Sequence, residues 1–578
     1  MKNKLLFEQR KNSIRDMIYD PDYIPLKLKE MAYLMDVPHK DRGALKEVMD
    51  ALVRDGSVEL TAKGKYIKPE NHNVTGEFTA NARGFGFVTV EGEEEDIFIP
   101  ATQVNGALHK DIVKVKVTKR SGREGKRHEG MVLKILERGC KTLVGTFQKN
   151  TSFGFVLPDD RHYDKDIFIS KKHMSGAKDG DKVVVRLTDF GGERKKPEGA
   201  VIEILGPMDD PATDVTSIIR AYGIEQEFPK SVMKEAQSVP QEISEQPGGK
   251  RVDFRNLLTV TIDGEDARDL DDAITLSKKD EKYYLGVHIA DVAHYVKEDS
   301  PLDKEALERA TSVYLADRVI PMLPRELSNG ICSLNAGTDR LAMSCMMTFD
   351  VNGNVLDHTI TESVICVDER MSYTGVKAIL EGQEHPEGER EDIRALCFLM
   401  KEAAAILKEK RRKRGAIDFD FPESKIIVDD KGYPIDIHPY ERNVATDIIE
   451  DFMLLANETV AQEYCTGDYP FVYRTHENPD PEKIESLLML LHNEGVNIQK
   501  SGQEITPGEI QEILESIEGM PNEAQISRLT LRTMKQAKYT TECSGHFGLA
   551  AKYYCHFTSP IRRYPDLQIH RIIKDNLR

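Results

Sequence analysis

The chain has 578 residues, of which 39% are hydrophobic, and its acidic residues outnumber lysine plus arginine by 98 to 80. This length predicts several domains, and the formal charge of −18 excludes one uniformly basic nucleic-acid-binding surface but leaves room for local basic grooves. The eight scattered cysteines have neither a zinc-finger spacing nor the density of a disulfide framework, which predicts a reducing, cytoplasmic location. Because the N-terminus lacks a signal-peptide pattern and no apolar run could span a bilayer, we expect no membrane partner.

Residues 1–70 follow a pattern of helices and then a short hairpin. Gly56 ends the clearest helix, and that helix carries one apolar stripe made of Leu45, Val48, Met49, Leu52 and Val53. Two short strands follow this helix. The outline predicts a winged helix, which either binds nucleic acid or serves as a packing or protein-contact module.

An internal repeat occupies residues 76–100 and 145–170. Each copy runs Gly-x-Phe, then Phe-Gly-Phe-Val, then an acidic turn and Asp-Ile-Phe-Ile. Two copies about 70 residues apart predict two small β-barrels, which we place at residues 71–135 and 140–208.

The Phe-Gly-Phe segments put two aromatic side chains on one face of a strand in each copy. Such a row either fills the barrel core or stacks on unpaired bases. Two rows, each near a basic residue, favour RNA binding by Arg83, Phe85, Phe87, Lys149, Phe153 and Phe155. The copies resemble cold-shock domains, OB-type barrels whose RNA-binding motif reads Lys/Arg-Gly-Phe-Gly-Phe. The second copy, TSFGFV, lacks the basic-glycine start, which predicts a weaker grip on RNA.

Charged and polar segments connect these parts. The basic runs 114–130 and 191–199 are either solvated loops or salt-sensitive phosphate contacts. The polar segment 227–250 contains three prolines and predicts a helix and a linker. It falls in the last domain, which we place at residues 210–578.

A cluster of aspartates lies between two β-branched, strand-like runs. The cluster consists of Asp263, Asp269, Asp271 and Asp272. Carboxylates brought together raise one another's pKa unless a cation neutralises them. With no histidine or cysteine at a suitable spacing, these oxygen ligands indicate Mg²⁺, with Mn²⁺ as a substitute, rather than zinc. An EF-hand is excluded by pattern, and the alternative is a surface cluster of helix caps and turns.

Several further motifs resemble the catalytic domain of the ribonuclease II, or RNB, family. Besides the aspartate motif they are HIADVAHYV, SVYLADRVIPMLP, RGAIDFDFPE and FTSPIRRYPDLQIHR. The resemblance covers nearly the whole chain. It implies an α+β multidomain fold with an N-terminal winged helix, two OB-type cold-shock β-barrels and a mixed α/β RNB catalytic domain.

The resemblance also implies an activity. Members of the family are processive, Mg²⁺-dependent 3′-to-5′ exoribonucleases that hydrolyse RNA to nucleoside 5′-monophosphates in RNA turnover and quality control. The expected substrate is single-stranded RNA, or structured RNA with a single-stranded 3′ end. We expect a monomer, with the ribosome or the RNA-decay machinery as further partners.

Family motifs assign the catalytic centre residue by residue. The resemblance implies a magnesium centre formed by Asp263, Asp269, Asp271 and Asp272. Asp271 corresponds to the acid on which the chemical step depends most. Arg562 corresponds to the arginine on the scissile phosphate.

The same motifs assign contacts to the 3′ end of the RNA. Tyr314 and Phe419 correspond to the aromatic residues on either side of the terminal base. Glu450 corresponds to the contact with the terminal ribose, and the neighbouring Asp451 is the alternative. The histidines in the matched motifs are expected in core or hydrogen-bonding roles rather than in catalysis: His288, His294, His546, His556 and His570.

The chain ends before segments that the resemblance leads us to expect. Family members continue with further helices, an S1 domain and a lysine-rich tail. Two other functions therefore stay open at this stage. One is a non-catalytic RNA-binding or remodelling protein, and the other is a shortened chain that binds RNA without cutting it.

Overall fold

A computed structural model of the chain divides it into two compact units, Met1–Ile224 and Glu225–Arg578. It describes residues 2–577 except 21–22, 36, 39–41, 55–57, 62–63, 68–72, 92–95, 120–127, 193–194, 244–249, 419–423, 430–431, 440–441, 497–501 and 503. Among the described residues, no helix is both long enough and apolar enough to cross a membrane.

The first unit begins with helices and a small sheet. Their bounds are α1 (Lys2–Tyr19), β1 (Leu26–Lys27), α2 (Leu28–Leu34), α3 (Arg42–Arg54), β2 (Glu59–Leu60) and β3 (Lys65–Ile67). β3 lies between β1 and β2, and the apolar stripe of α3 packs against Ile14 and Ile18 of α1. The predicted order of helices and hairpin is present, the winged helix stays a prediction, and Gly56 lies outside the described residues.

The first copy of the repeat folds as a closed barrel. Its strands are β4 (Asn73–Ala80), β5 (Gly86–Thr89), β6 (Ile97–Ile99), β7 (Asp111–Lys119) and β8 (Glu129–Glu137). They pair in the order β4-β5-β6-β8-β7, and β7 pairs back with β4. Closure leaves no free sheet edge, and β-branched residues with Phe78 fill the interior.

The second copy repeats this barrel. Its strands are β9 (Thr142–Lys149), β10 (Phe153–Pro158), β11 (Ile167–Ser170), β12 (Asp181–Asp189) and β13 (Glu198–Pro207). The strand order β10-β11-β13-β12-β9 has the same form, and Phe147 takes the buried place of Phe78. α4 (Pro211–Ala221) follows, and Arg220 on it pairs with Glu203 on β13. The prediction of two OB-type barrels is confirmed.

The glycine between the aromatic residues of each repeat has a packing reason. A Cβ at Gly154 would lie 2.5 Å from the ring of Phe147, and a Cβ at Gly86 would collide with the ring of Phe78. The barrel wall therefore admits only glycine where the strand crosses the largest core side chain. This steric need keeps the flanking aromatic residues on the opposite, outer face, because side chains alternate along a strand.

A mixed sheet forms the centre of the second unit. The chain enters it through α5 (Lys230–Ser238), and its strands are β14 (Val252–Asp253), β15 (Val260–Asp263), β16 (Asp272–Lys279), β17 (Lys282–Ala290), β20 (Asp339–Phe349), β21 (Val355–Cys366) and β22 (Glu369–Ser372). The strand order is β14-β21-β20-β17-β16-β15-β22. Between β17 and β20 the chain forms α6 (Val292–Tyr295), α7 (Pro301–Arg309), β18 (Val313–Tyr314) and β19 (Val319–Ile320).

Helices and short hairpins complete this unit. They are α8 (Tyr373–Leu380), α9 (Glu391–Arg414), β23 (Ser424–Val428), β24 (Pro434–Pro439), α10 (Val444–Thr466), β25 (Tyr473–Thr475), α11 (Pro481–Asn493), α12 (Pro507–Ile517), α13 (Glu523–Thr533), β26 (Lys538–Thr540) and α14 (Tyr564–Leu577). The sheet is buried on both faces, because the successive residues Ala273 and Ile274 belong to different core clusters.

A buried ion-pair network ties α14 to the sheet. Asp291, fully buried at the end of β17, lies 2.6 Å from Arg251 and 2.6 Å from Lys574 on α14. The same two cations also pair with Glu362 on β21, at 3.0 and 3.1 Å. Burial raises the pKa of Asp291, but the charges of Lys574 and Arg251 outweigh it and hold the pKa well below its usual range.

The basic run at residues 410–414 forms the last turns of α9, where it meets the negative end of the helix. The described contacts of these basic side chains are all with other groups of the same chain. Arg411 pairs with Asp451, and Arg414 makes two bonds of 2.7 Å to Glu458. Lys410 donates to the carbonyl of Gly353. These partners give the run a structural role in the described part of the chain.

Candidate active site

The four aspartates lie close together because one strand ends at the first of them and the neighbouring strand begins at the last. β15 ends at Asp263, β16 begins at Asp272, and the connecting loop carries Asp269 and Asp271. All four line one cleft of about 280 Å³, together with Glu450 and Asn457 from α10 and Arg562 from the loop before α14. The strand-loop-strand pattern predicted from the sequence is therefore present.

The cleft contains buried carboxylate oxygens that lack donors. Within the described residues, one oxygen of Asp263, of Asp271 and of Asp272 is buried and accepts no hydrogen bond. Burial and then repulsion from Asp272 raise the pKa of Asp263 to about 8, and burial raises the pKa of Asp272 to about 6. Burial also raises the pKa of Asp271 well above its usual range. Converging oxygens of this kind fit a hard divalent cation, whose charge would offset the cost of their burial.

The loop that carries the aspartates is fixed by side chains distant in sequence. The hydroxyl of Ser333 donates to the carbonyl of Arg268 at 2.8 Å and accepts from the amide of Leu270 at 3.1 Å. Arg370, on β22, donates to the carbonyls of Glu265 and Ala267 at 3.0 and 2.6 Å. Sequence reasoning missed both residues, since neither lies in a motif with a chemical signature.

The loop at residues 558–563 is bonded directly to the aspartate cluster. The amide of Ile561 donates to Asp271 at 2.9 Å, and the guanidinium of Arg562 lies 3.9 Å from the other oxygen of Asp271. Asp566, fully buried at the start of α14, accepts from the amide of Ser559 at 2.9 Å. This loop therefore holds one arginine against the cluster through backbone and side-chain bonds.

The two adjacent arginines of this loop differ in environment. The side chain of Arg563 is 20% exposed and pairs with Asp566 at 2.7 Å. The side chain of Arg562 is 43% exposed and donates to the hydroxyl of Ser559 at 3.0 Å. Arg562 has its charge available to a ligand in the cleft, whereas Arg563 is neutralised inside the protein. Asp566, which makes this distinction, was also missed by sequence reasoning.

Tyr314 lies beside the cluster, and its side chain is 54% exposed. Its hydroxyl donates to Asp269 at 3.2 Å. The strand that carries Tyr314 is joined to the arginine loop, because the amide of Ser312 donates to the carbonyl of Arg562 at 3.0 Å. Phe419, assigned to the opposite side of the base, lies outside the described residues.

Glu450 and Asp451 have different places on α10. Glu450 is exposed, lines the cleft and accepts from Arg442 at 2.6 Å. Asp451 is buried, and its partner is Arg411 of α9. Of the two acids that the sequence left open for the ribose contact, Glu450 is the one that faces the cleft.

Each barrel presents a cluster of three aromatic rings. In the first barrel, Phe98 joins Phe85 and Phe87, with ring centroids 5.5 to 5.8 Å apart. In the second, Phe168 joins Phe153 and Phe155 at 5.5 to 5.9 Å. All six rings are partly buried.

Sequence reasoning missed the third ring of each cluster. The repeated Asp-Ile-Phe-Ile motif, which contains both Phe98 and Phe168, was the signal that could have revealed them.

Basic residues lie near both aromatic clusters. Arg83, in the turn before the first Phe-Gly-Phe segment, and Lys149, at the end of β9 before the second, are both exposed. In the second barrel, the ammonium of Lys196 lies 4.6 Å from the centre of the Phe155 ring. The second barrel therefore has a cation on its aromatic cluster even though its motif lacks the basic-glycine start.

Comparison with known proteins identifies the family. A family model described as RNB domain matches residues 251–578, one described as Cold shock domain matches 155–229, and one described as Ribonuclease B OB domain matches 76–135. Ribonuclease R of Thermotoga maritima is 41% identical over 570 residues, which cover 98% of this chain and 80% of that protein. The chain belongs to the ribonuclease R group of the RNB family.

Two solved structures share the fold of this chain. RNase R of Mycoplasma genitalium in complex with ribose methylated single-stranded RNA superposes with a TM-score of 0.78 at 27% identity, covering 87% of this chain and 79% of that chain. Yeast Ssd1, described as a pseudonuclease, shares the fold with a TM-score of 0.67 at 18% identity, covering 93% of this chain and 70% of that chain. The fold alone is therefore compatible with loss of cleavage.

Ribonuclease R and its RNB relatives are 3′-to-5′ exoribonucleases, and this chain is an enzyme of that class. Enzymes of the family are generally metal-dependent, in keeping with the unpartnered carboxylates of the cleft. The family is confirmed, and so is the predicted α+β fold with two OB-type barrels and an RNB domain, whereas the N-terminal winged helix stays a prediction.

The five histidines of the matched motifs all have hydrogen-bonding partners. His288 is fully buried between Thr275 and Ser344, at 3.1 and 2.6 Å, and burial lowers its pKa to about 3. The rings or backbones of the others bond to a neighbouring group in the second unit: His294, His546, His556 and His570. None of the five lines the cleft that holds the aspartates.

Proposed function

We propose that the chain is a processive, Mg²⁺-dependent exoribonuclease that releases nucleoside 5′-monophosphates from the 3′ end of RNA. One observation carries this proposal: Asp263, Asp271 and Asp272 bring unpartnered oxygens into a cleft that also receives the guanidinium of Arg562. A cleft that concentrates negative charge and places one cation at its edge is suited to a metal-bound phosphodiester.

In this proposal the four aspartates, Asp269 included, hold Mg²⁺, with Mn²⁺ as a substitute. When bound, the metal would activate a water molecule and neutralise charge on the phosphate. Asp271 has the most constrained carboxylate, since the amide of Ile561 fixes one of its oxygens and the other stays free for a ligand. We therefore assign to Asp271 the role on which the chemical step depends most.

Arg562 is assigned to the scissile phosphate. Its exposed guanidinium would donate to phosphate oxygens where negative charge is concentrated. Asp566 supports this role indirectly, because it neutralises Arg563 and fixes the loop that carries both arginines. Asp566 is a positioning residue in this account.

Stacking would set the step size of the enzyme. We assign Tyr314 and Phe419 to the two faces of the 3′-terminal base, where stacking of about 1–3 kcal/mol per base tolerates any sequence. The exposed carboxylate of Glu450 is assigned to the terminal ribose, where a 2′-hydroxyl distinguishes RNA from DNA. A base held in register exposes one phosphodiester at a time to the cleft.

The barrels would supply RNA binding ahead of the catalytic domain. Their aromatic clusters, with Arg83, Lys149 and Lys196 nearby, favour single-stranded RNA. The related Mycoplasma genitalium RNase R has been solved with single-stranded and with double-stranded RNA, which supports both kinds of substrate here. The proposed domains are a winged helix at 1–70, barrels at 71–135 and 140–208, and the catalytic domain at 210–578.

The cellular setting is part of the proposal. All eight cysteines lie in the described residues and are free thiols, which favours a reducing compartment such as the cytoplasm. We propose a monomer that acts in RNA turnover and quality control alongside the ribosome or the RNA-decay machinery.

The test follows a 5′-labelled single-stranded RNA with and without Mg²⁺ and resolves the products by length. We expect a Mg²⁺-dependent accumulation of very short labelled ends with few intermediates. Asp271→Asn should abolish cleavage and keep RNA binding, whereas Asp266→Asn, an exposed acid in the same loop, should cleave normally. Cleavage that persists in Asp271→Asn, or wild-type binding without cleavage, would overturn the proposal.

A further inference from the structure

A second group of metal-ligating side chains lies in the first unit, between the two barrels. It consists of His109 from the first barrel and of Asp160 and His162 from the second. One ligand atom of each residue lies within 4.8 Å of the others. All three residues lie in Met1–Ile224, and the nuclease chemistry proposed above uses none of them.

The two histidine rings are held face to face. Their centroids lie 4.0 Å apart with an angle of 10° between the planes. His162 bonds through its Nδ1 to Asp160 at 2.6 Å, so its Nε2 is the nitrogen left for another ligand. The Nδ1 of His109 is buried and has no hydrogen-bond partner among the described residues. A buried ring nitrogen without a partner beside a second imidazole and a carboxylate is the observation that points to a ligand.

The loop that carries His109 is held by several bonds to Asp111. The buried Asp111 accepts from the amides of Leu108 and Gly139 at 2.8 and 3.0 Å and pairs with Arg138 at 2.6 Å. Lys110 follows His109 with a φ of 67°, in the left-handed region, so the loop turns sharply at this point. The position of the His109 backbone is therefore set by the fold before any ligand binds.

The loop that carries the other two residues is also organised. Asp160 accepts from the backbone amide of His162 at 2.9 Å, which closes a turn between β10 and β11. The next residue, Tyr163, packs with the core of the second barrel, and so does Leu108 from the first barrel. The two loops thus meet where apolar contacts already join the barrels.

We propose that His109, Asp160 and His162 bind a divalent transition-metal cation of the Zn²⁺ or Ni²⁺ class, and that this cation clamps the two barrels together. Imidazole nitrogen suits these ions, whereas Mg²⁺ prefers the all-oxygen ligands of the aspartate cleft. Coordination would replace the ring stack, with each imidazole turning so that one nitrogen faces the cation. Three protein ligands leave at least one position for water.

Each barrel carries one of the aromatic clusters proposed to bind RNA. By clamping the barrels, the cation would fix the position of one cluster relative to the other. Sequence analysis did not predict this site, since its ligands come from different barrels and match no ligand spacing. The neutral imidazole that a metal requires is favoured at His109, whose pKa is lowered by burial and then by the nearby His162.

The test is a calorimetric titration of the untagged, full-length chain with Ni²⁺ in saturating Mg²⁺, which keeps the aspartate cleft occupied. We expect one equivalent of Ni²⁺ to bind, and His109→Gln and His162→Gln each to weaken this binding by roughly tenfold or more. The matched control is His173→Gln, in the same barrel as His162, whose ring bonds to Ser170. It should bind Ni²⁺ like the wild type.

A second measurement separates coordination from misfolding. Ni²⁺ should raise the unfolding midpoint of the wild type and of His173→Gln, but not of His109→Gln or His162→Gln, and all four proteins should unfold alike without metal. Wild-type protein that takes up no stoichiometric Ni²⁺ would overturn the proposal. Equal binding by the histidine variants would also overturn it and would indicate an adventitious ion only.

Discussion

Two buried carboxylates in the second unit have opposite electrostatic environments. Asp291 lies between Arg251 and Lys574, both within 2.6 Å, and those charges hold its pKa low. Asp271 is equally buried, yet one of its oxygens has no donor and its pKa is raised. The first arrangement satisfies the charge inside the protein and serves stability. The second leaves the charge unsatisfied, which is what a site for an external cation requires.

The largest effect is expected from a substitution that breaks the ion-pair network of Asp291. Asp291→Asn should reduce the free energy of unfolding by roughly 3–5 kcal/mol, because it removes the fully buried carboxylate charge and leaves Glu362 as the one carboxylate shared by two buried cations. Asp271→Asn, measured in EDTA, should cost nothing or stabilise, since it removes a buried charge that has no hydrogen-bond donor on one oxygen. Urea denaturation of both variants, with Asp266→Asn as the exposed control, checks the contrast. Equal destabilisation by the two buried changes would refute it.

The adjacent residues Arg562 and Arg563 show the same contrast, because the first is available to a ligand and the second is paired inside the protein. Arg562→Lys should lower kcat by roughly a hundredfold to a thousandfold and leave stability unchanged, as expected for a donor to a developing charge. Arg563→Lys should instead destabilise by about 1–3 kcal/mol, because a lysine ammonium cannot reproduce the two guanidinium bonds to the buried Asp566. Single-turnover kinetics and denaturation on both variants provide the comparison. If Arg562→Lys kept full activity, its assignment to the phosphate would be wrong.

Substitutions of Tyr314 test the part of the site that is proposed to bind the terminal base rather than the phosphate. Tyr314→Ala should weaken binding of short RNA by about 1–3 kcal/mol and change the length of the shortest labelled product. Tyr314→Phe is the matched control, because it keeps the ring and loses only the bond to Asp269. An unchanged product length in Tyr314→Ala would count against the stacking role.

His288 is a third buried ionisable side chain, and it is neither paired with a charge nor open to a ligand. Burial lowers its pKa in the folded state to about 3. Between that value and about 6.5 the unfolded chain binds the proton and the folded chain does not, so stability falls as the pH falls through this window.

Near pH 5 the contribution of His288 to this loss is about 2 kcal/mol. His288→Asn should flatten the dependence of the unfolding free energy on pH. Identical slopes for wild type and His288→Asn would contradict this reading. Asp291 contributes only at the acidic end of this window, because its depressed pKa confines its effect to below about pH 4.

The sequence predicted what depends on local pattern. The acidic run between apolar strands, the stripe on α3 and the repeated Phe-Gly-Phe segments all led to elements that the structure contains. These features are readable because strand and helix periodicity, and the steric need for glycine beside a large core residue, act over a few residues.

What escaped prediction depends on contacts between distant parts of the chain. Arg370 reaches carbonyls about a hundred positions earlier, and Ser333 bonds a loop 63 to 65 positions away. In the basic run before Gly415, Arg411 and Arg414 are paired with acids of α10. Pairing of this kind is decided by tertiary packing, for which one sequence carries no local signal.

The most direct test of the account is equilibrium unfolding of the second unit with and without Mg²⁺ in the wild type, Asp271→Asn and Asp266→Asn. If the unpartnered carboxylates form a metal centre, Mg²⁺ should stabilise the wild type and Asp266→Asn by mass action and should do much less for Asp271→Asn. Equal stabilisation of all three proteins, or of none, would contradict the claim that the buried carboxylates of this cleft are a site for a cation.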